Sequence, residues 1–165
     1  MRCGRMGVCL FPYQEEYCPM AEVRRAEATW TGDLVSGSGV VSAATSGKFR
    51  DLGVTWADRT QESSGKTSPE ELLAASHAAC FSMAFSARLA KNGTPPNRLD
   101  VTADVTFAQV DGGWKVASSA LTVRGDVPGI SEADFVRIAE DARDNCPISV
   151  ALKGNLELSV DATLA

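Results

Sequence analysis

Residues 68–91, SPEELLAASHAACFSMAFSARLAK, constrain the fold more than any other stretch of the chain. Ser68 is a good N-cap, Pro69 suits the first helical position, and Glu71 stands where a capping box places an acid. Glu70 and Glu71 complement the positive end of the helix dipole. Asn92-Gly93 and then Pro95-Pro96 stop the helix at about Lys91. Between start and stop nearly every position is apolar or small. This composition predicts a long helix buried on every side, in a domain core or at a subunit interface.

The flanks read as strands. Ala26, Ala28 and Trp30 alternate with Glu27 and Thr29, as in a half-buried strand. GDLVSGSGVVSAAT reads as a turn and a second strand, with Gly37 and Gly39 marking a bulge or bend. A short strand and a long polar loop, DRTQESSGKTS, lead into the helix. Beyond it, Leu99, Val101, Ala103, Val105 and Phe107 alternate, Asp111-Gly112-Gly113 turns, and WKVASSALTVRGDV returns as the partner of a hairpin. Ser131 and Asp134 cap a second helix with Phe135, Ile138, Ala139 and Ala142 on one face. Asn145-Cys146-Pro147 breaks it, PISVALKG adds one or two helical turns, and NLELSVDATL is a final strand. The expected class is α+β, with antiparallel sheet and helices packed on it.

The chain has 165 residues, which suits one domain with a core of its own. Residues 1–20 show no sustained period and read as a loosely ordered extension, so the domain is expected over 21–165. The net charge of −5 gives no basic footprint for nucleic acid or an anionic membrane. No uncharged apolar run reaches the ~18 residues of a membrane span, and MGVCLF is shorter than the ~7–15-residue core of a signal peptide. The expectation is a cytoplasmic protein.

Five cysteines, Cys3, Cys9, Cys18, Cys80 and Cys146, and one histidine match neither a disulfide framework nor a zinc-site spacing. Cys80 is either an inert packed thiol or a reactive one, and mid-helix it gains little from the dipole, so reactivity requires another group. Cys146 precedes Pro147 and sits near the N-cap of the next helix, where free N–H groups favour a thiolate. Separation along the chain says nothing about the distance between the two sulfurs. His77, one turn before Cys80, is either half of a Cys–His pair or a packing histidine bonded across a helix interface. Glu70 and Arg59 have ordinary readings as a dipole residue and a loop arginine. A thiolate mechanism has a use for both: a guanidinium to stabilise the thiolate and a carboxylate to hold the guanidinium.

TSPEELLAASHAACFSMAFS followed by DNCPISVALKG resembles the OsmC/Ohr family of peroxide-reducing stress proteins. TWTGDLVSGSG and VPGIS fit the same pattern, and the resemblance runs from about residue 22 to the C-terminus. SHAACFSMA has the wording of the OsmC branch; the Ohr branch usually carries an aromatic residue in place of His77. The resemblance implies an OsmC-like fold with a long central helix in an intertwined homodimer. It implies thiol-dependent reduction of organic hydroperoxides, and of hydrogen peroxide, in oxidative or osmotic stress defence. Cys80 would be the peroxidatic cysteine, Cys146 the resolving one, Glu70 the active-site glutamate and Arg59 the arginine, with Arg50 as the fallback. No metal or organic cofactor is implied, and the reductant would be a dithiol, of lipoyl type by resemblance. The rivals on the same fold are a small hydrophobic ligand-binding protein and a redox sensor.

Helix geometry adds one constraint. Glu70 and Cys80 lie ~15 Å apart along a helix axis and ~80° apart around it. If both serve one site, either another subunit contributes the carboxylate or Arg59 spans the gap. The expectation is a homodimer with two composite sites.

Overall fold

The computed structural model describes residues 21–165. The expected extension at 1–20, with Cys3, Cys9 and Cys18, lies outside the described residues. Two three-stranded sheets are present. The first is an antiparallel meander of β1 (Glu27–Thr31), β2 (Ser38–Ser42) and β3 (Leu52–Val54). The second has the order β4-β5-β6, built from β4 (Arg98–Val110), β5 (Gly113–Asp126) and β6 (Glu157–Leu164). The helices are α1 (Trp56–Thr60), α2 (Pro69–Lys91), α3 (Glu132–Asn145) and α4 (Pro147–Leu152).

Local sequence accounts for most boundaries. Ser68 Oγ accepts from Glu71 N at 3.1 Å and starts α2, while Glu71 takes the Thr67 hydroxyl at 2.6 Å. Ser131 Oγ accepts from Asp134 N at 3.1 Å and starts α3. Asp111 and Gly112 both have positive φ, 53° and 81°, and close the β4–β5 hairpin as a two-residue turn of the kind Asp-Gly favours. The register between β1 and β2 runs without a bulge. Gly39 instead makes room: a Cβ there would meet the Thr29 carbonyl at 2.6 Å and the Trp30 indole at 2.8 Å. α1, whose N-cap is Thr55, runs into the start of the polar loop expected before α2.

One strand departs from the expected antiparallel pattern. β6 pairs with β5 in parallel. The reason is connection length: α3 and α4 together carry the chain back to the end of the sheet where β5 began, and a parallel pair requires such a crossover. Strand alternation alone carries no direction.

The core lies between α2, α3 and the β4–β6 sheet. Phe81, Phe85 and Leu89 of α2 pack with Phe135, Ala139 and Ala142 of α3 and with Leu121 and Val123 of β5, all at most 1% exposed. The ring centroids of Phe81 and Phe85 are 5.5 Å apart, and those of Phe85 and Phe135 are 5.0 Å apart. Gly125 lets Phe135 approach the sheet, since a Cβ there would fall 2.6 Å from its ring.

α2 is not covered all round by its own chain. One stripe is buried: Glu70, His77, Phe81, Phe85 and Leu89. The opposite stripe, Ala75, Ala79, Met83, Ala87 and Ala90, is exposed, Met83 by 69%. By length and composition α2 is apolar enough to cross a membrane. Its buried stripe is instead committed to the core just described. β1 is exposed along its whole length rather than half-buried, and its sheet makes few contacts with the other elements.

Candidate active site

The expected site residues fall into two clusters at different levels of α2. The first is built around Arg59 and Glu70. Glu70 is in the first turn of α2 and 6% exposed. Arg59, in α1, grips it through Nε and Nη2, which donate to Oε1 at 2.9 and 2.7 Å; Nε also donates to Oε2 at 3.1 Å. This fork-on-carboxylate geometry suits a partly buried ion pair, because each desolvated charge meets more than one partner. The guanidinium carbon lies 4.0 Å from the Phe107 ring centroid and 5.9 Å from that of Trp56. Phe107 stacks on Trp114 at 4.9 Å, and Trp56 meets both edge-on. The planar cation is thus held between a carboxylate and an aromatic wall. Arg50, the fallback, sits exposed in the turn before β3 and takes no part in this pair.

Asp58, next to Arg59, is 8% exposed and ties the loop together. It accepts from Ser64 N and Ser64 Oγ, both at 2.7 Å, from the Thr55 hydroxyl, and from Lys66 Nζ at 3.5 Å. The Thr55 and Ser64 hydrogen bonds hold its carboxyl well below the usual carboxylate range.

The second cluster holds the thiols. Cys80, halfway along α2, and Cys146, between α3 and α4, are both free, and Cys80 packs against the core cluster that contains Cys146. Cys146 is completely buried, whereas Cys80 is partly exposed. Cys146 occupies the α4 N-cap position, and its sulfur makes no cap hydrogen bond. Burial opposes its thiolate; the neighbouring Cys80 thiol and the polar groups of Ser149 and Ile148 at the start of α4 act the other way and lower the Cys146 thiol. Burial pushes the Cys80 thiol up, and Cys146 adds to the push, while the Ile148 N–H offsets part of it.

The expected reach of Arg59 toward the thiols is not made within one chain. Its guanidinium is spent on Glu70, ~15 Å along α2 from Cys80. The grooves beside α2 are lined by Arg88, Arg137 and Asp141, and by Met83 and Leu99, and neither includes Cys80 or Cys146. Phe81 and Phe85 are core, whereas Met83 between them is exposed. Among the described residues no cluster of His, Cys, Asp and Glu is arranged to hold a metal ion.

His77 is a packing histidine. It is 0% exposed, with Nδ1 2.7 Å from Ser119 Oγ and Nε2 2.8 Å from Ser149 Oγ. Sequence reasoning did not find Ser119, Ser149, Asp58 or the aromatic wall. Ser119 carried a signal, being the polar member of the inward row Ser119, Leu121, Val123, Gly125. Ser149 carried another, three residues after a cysteine at a helix N-cap.

A family model described as OsmC-like protein matches residues 61–161. The chain belongs to the OsmC-like family. The peroxiredoxin OsmC of Escherichia coli (strain K12) is 39% identical over 135 residues, covering 82% of this chain and 93% of that protein. The organic hydroperoxide resistance protein of Xanthomonas axonopodis pv. citri (strain 306) is 32% identical over 95 residues, 57% of this chain and 65% of that one. Among solved structures, an organic hydroperoxide resistance protein from Elizabethkingia anophelis superposes with a TM-score of 0.64 at 26% identity, covering 87% of this chain and 100% of that chain. The OsmC-like fold is therefore the one expected from the two cysteine motifs.

Proposed function

We propose that this OsmC-like protein is a thiol peroxidase that reduces organic hydroperoxides, with Cys80 as the peroxidatic and Cys146 as the resolving cysteine. The observation that carries the reading is that two cysteines from distant parts of the chain come into one core, Cys80 packed against the cluster that holds Cys146 at a helix N-terminus. Their unequal burial supports the roles. Peroxide can approach the partly exposed Cys80, and Cys146 is sealed behind it.

The Cys80 thiolate attacks one peroxide oxygen, the O–O bond breaks, and the alcohol leaves with a proton. Cys146 then condenses with the sulfenic acid to a disulfide, releasing water. An external dithiol restores both thiols by exchange. The relatives' names, peroxiredoxin and organic hydroperoxide resistance protein, support this substrate class.

One requirement is unmet in the single chain: burial disfavours the Cys80 thiolate, and among the described residues no cation acts on it. Arg59, held by Glu70, is a cation fixed in place and partly exposed, and α2 presents an apolar stripe beside Cys80. A second copy packed on that stripe would bring its own Arg59 and Glu70 toward Cys80. The working unit is then an intertwined homodimer with two composite sites.

The test is peroxide consumption with excess dithiol, cumene hydroperoxide against hydrogen peroxide, for wild type, Cys80→Ser and Cys146→Ser. Multiple turnovers abolished by Cys80→Ser and impaired by Cys146→Ser are expected. A wild type without turnover and with both thiols titratable would overturn the peroxidase and favour a ligand-binding role.

A further inference from the structure

The Arg59 guanidinium is held by a carboxylate and by aromatic rings, and the peroxidase reading uses only the first. Glu70 takes one edge of the cation: Nε and Nη2 both donate to Oε1, at 2.9 and 2.7 Å. The other edge, Nη1 with the remaining hydrogen of Nη2, meets no acceptor among the described residues. A fork on a carboxylate fixes a guanidinium within its own plane. It leaves that plane free to hinge about the line joining Nε and Nη2. Such a hinge moves Nη1 most, because Nη1 lies farthest from the line.

Phe107 supplies the missing constraint. Its ring centroid is 4.0 Å from the guanidinium carbon, so the ring sets the plane that the carboxylate leaves free. Trp114 stacks on Phe107 at 4.9 Å, 15° from parallel. Trp56 meets the two edge-on, at 6.2 and 5.8 Å. Strand register builds this wall. Phe107 pairs with Val116 and Gln109 with Trp114, so Trp114 is the diagonal neighbour of Phe107 on one face. Without the register shift at Thr106 and Phe107, Trp114 would lie opposite Val110, on the other face of the hairpin.

We propose that Phe107 and Trp114 are positioning residues for peroxide reduction: they fix the plane of the Arg59 guanidinium so that its unpaired edge meets the charge that develops at the thiol site. This rests on the role given to Arg59 above. The wall exchanges no proton or electron; it sets the direction of a cation. A lysine at this position could not be held in the same way, since an ammonium offers neither the fork nor a flat face.

The test reads Arg59 both directly and through turnover. In the isotope-labelled full chain, the Arg59 Nε–H resonance is identified by its loss in Arg59→Lys. It is expected to carry the ring-current shift of Phe107 and to exchange slowly with water. Phe107→Leu removes the shift, and Phe107→Tyr, which keeps a ring, restores it. Turnover of cumene hydroperoxide with excess dithiol falls about ten-fold in kcat/KM in Phe107→Leu, the worth of a partly desolvated cation–ring contact. It recovers in Phe107→Tyr. Trp114 is 48% exposed, so Trp114→Leu leaves the core intact and gives a smaller loss of the same kind. In an Arg59→Lys background Phe107→Leu lowers turnover no further, because the wall acts through the guanidinium. A ring that merely packs would lower the melting temperature and slow turnover by the same factor in both backgrounds. That equality, or an Nε–H resonance that stays put in Phe107→Leu, overturns the proposal. A resonance that moves in a protein without peroxide turnover overturns the peroxidase reading instead, with the hold on Arg59 intact.

Discussion

Asp58 and Arg59 are adjacent in sequence and have opposite duties. Asp58 gathers Thr55, Ser64 and Lys66 into one knot, and the knot presents Arg59 to Glu70. Asp58→Ala should therefore speed hydrogen exchange over residues 55–67 and reduce peroxidase turnover while Cys80 and Cys146 keep their titration. The Asp58 carboxyl is held below its unfolded value of ~3.9, so its contribution is complete above that pH and is lost as pH falls further. The loop should hold its exchange protection down to about pH 4. His77 acts in a higher window. Its folded pKa is lowered by burial, so below the unfolded value of ~6.5 the unfolded chain binds a proton that the folded one refuses. Melting temperature should fall as pH drops from 7 toward 5, and His77→Gln should flatten that slope at about those pH values. A slope unchanged in His77→Gln would remove the histidine from the account.

At the scale of elements, α2 does two jobs with two stripes. The buried one ties three secondary-structure layers together through Phe81, Phe85 and Leu89. Phe85→Ala should cost about 3–5 kcal/mol in denaturant unfolding, because the site is walled by Phe81 and Phe135 and has little room to collapse. The N-cap is smaller in effect: Ser68→Ala should cost about 1 kcal/mol. The helix, its caps and its stops were legible in the sequence because they depend on neighbours within one turn. α1 was not, since five residues after Thr55 show no period long enough to read. Nor was the bulge that pairs Thr106 with Ser118 but Phe107 with Val116. A one-residue slip exchanges the faces of a strand. Past it, Trp114 joins the face of Phe107 and completes the wall behind Arg59.

For the molecule as a whole, the single chain keeps the residues of the proposed site apart. Arg59 and Glu70 sit at one end of α2, the sulfurs halfway along it, and the exposed Ala75–Met83–Ala90 stripe beside them. The β1–β3 sheet also leaves Trp30 and Leu52 open on the surface. If two copies complete each other, inactive Cys80→Ser and Arg59→Ala chains should regain activity when refolded together. The mixed dimer then has one site with both an intact Cys80 and an intact Arg59 from its partner. No recovery in a mixture shown by sedimentation to contain mixed dimers would place all four residues in one chain.

The sequence by itself determined the elements whose causes are local: the capped apolar helix, the Asp-Gly hairpin, the second capped helix, and a cysteine at a helix start. Two cysteine motifs in order were enough to assign the family, because each couples a residue to a specific local setting. Tertiary structure decided what depends on the path between elements. It set β6 parallel to β5, left one stripe of α2 bare, turned His77 away from Cys80 toward two serines, and brought Cys146 to Cys80. Those outcomes follow from crossover length, burial and hydrogen-bond satisfaction in three dimensions, which no spacing along the chain encodes.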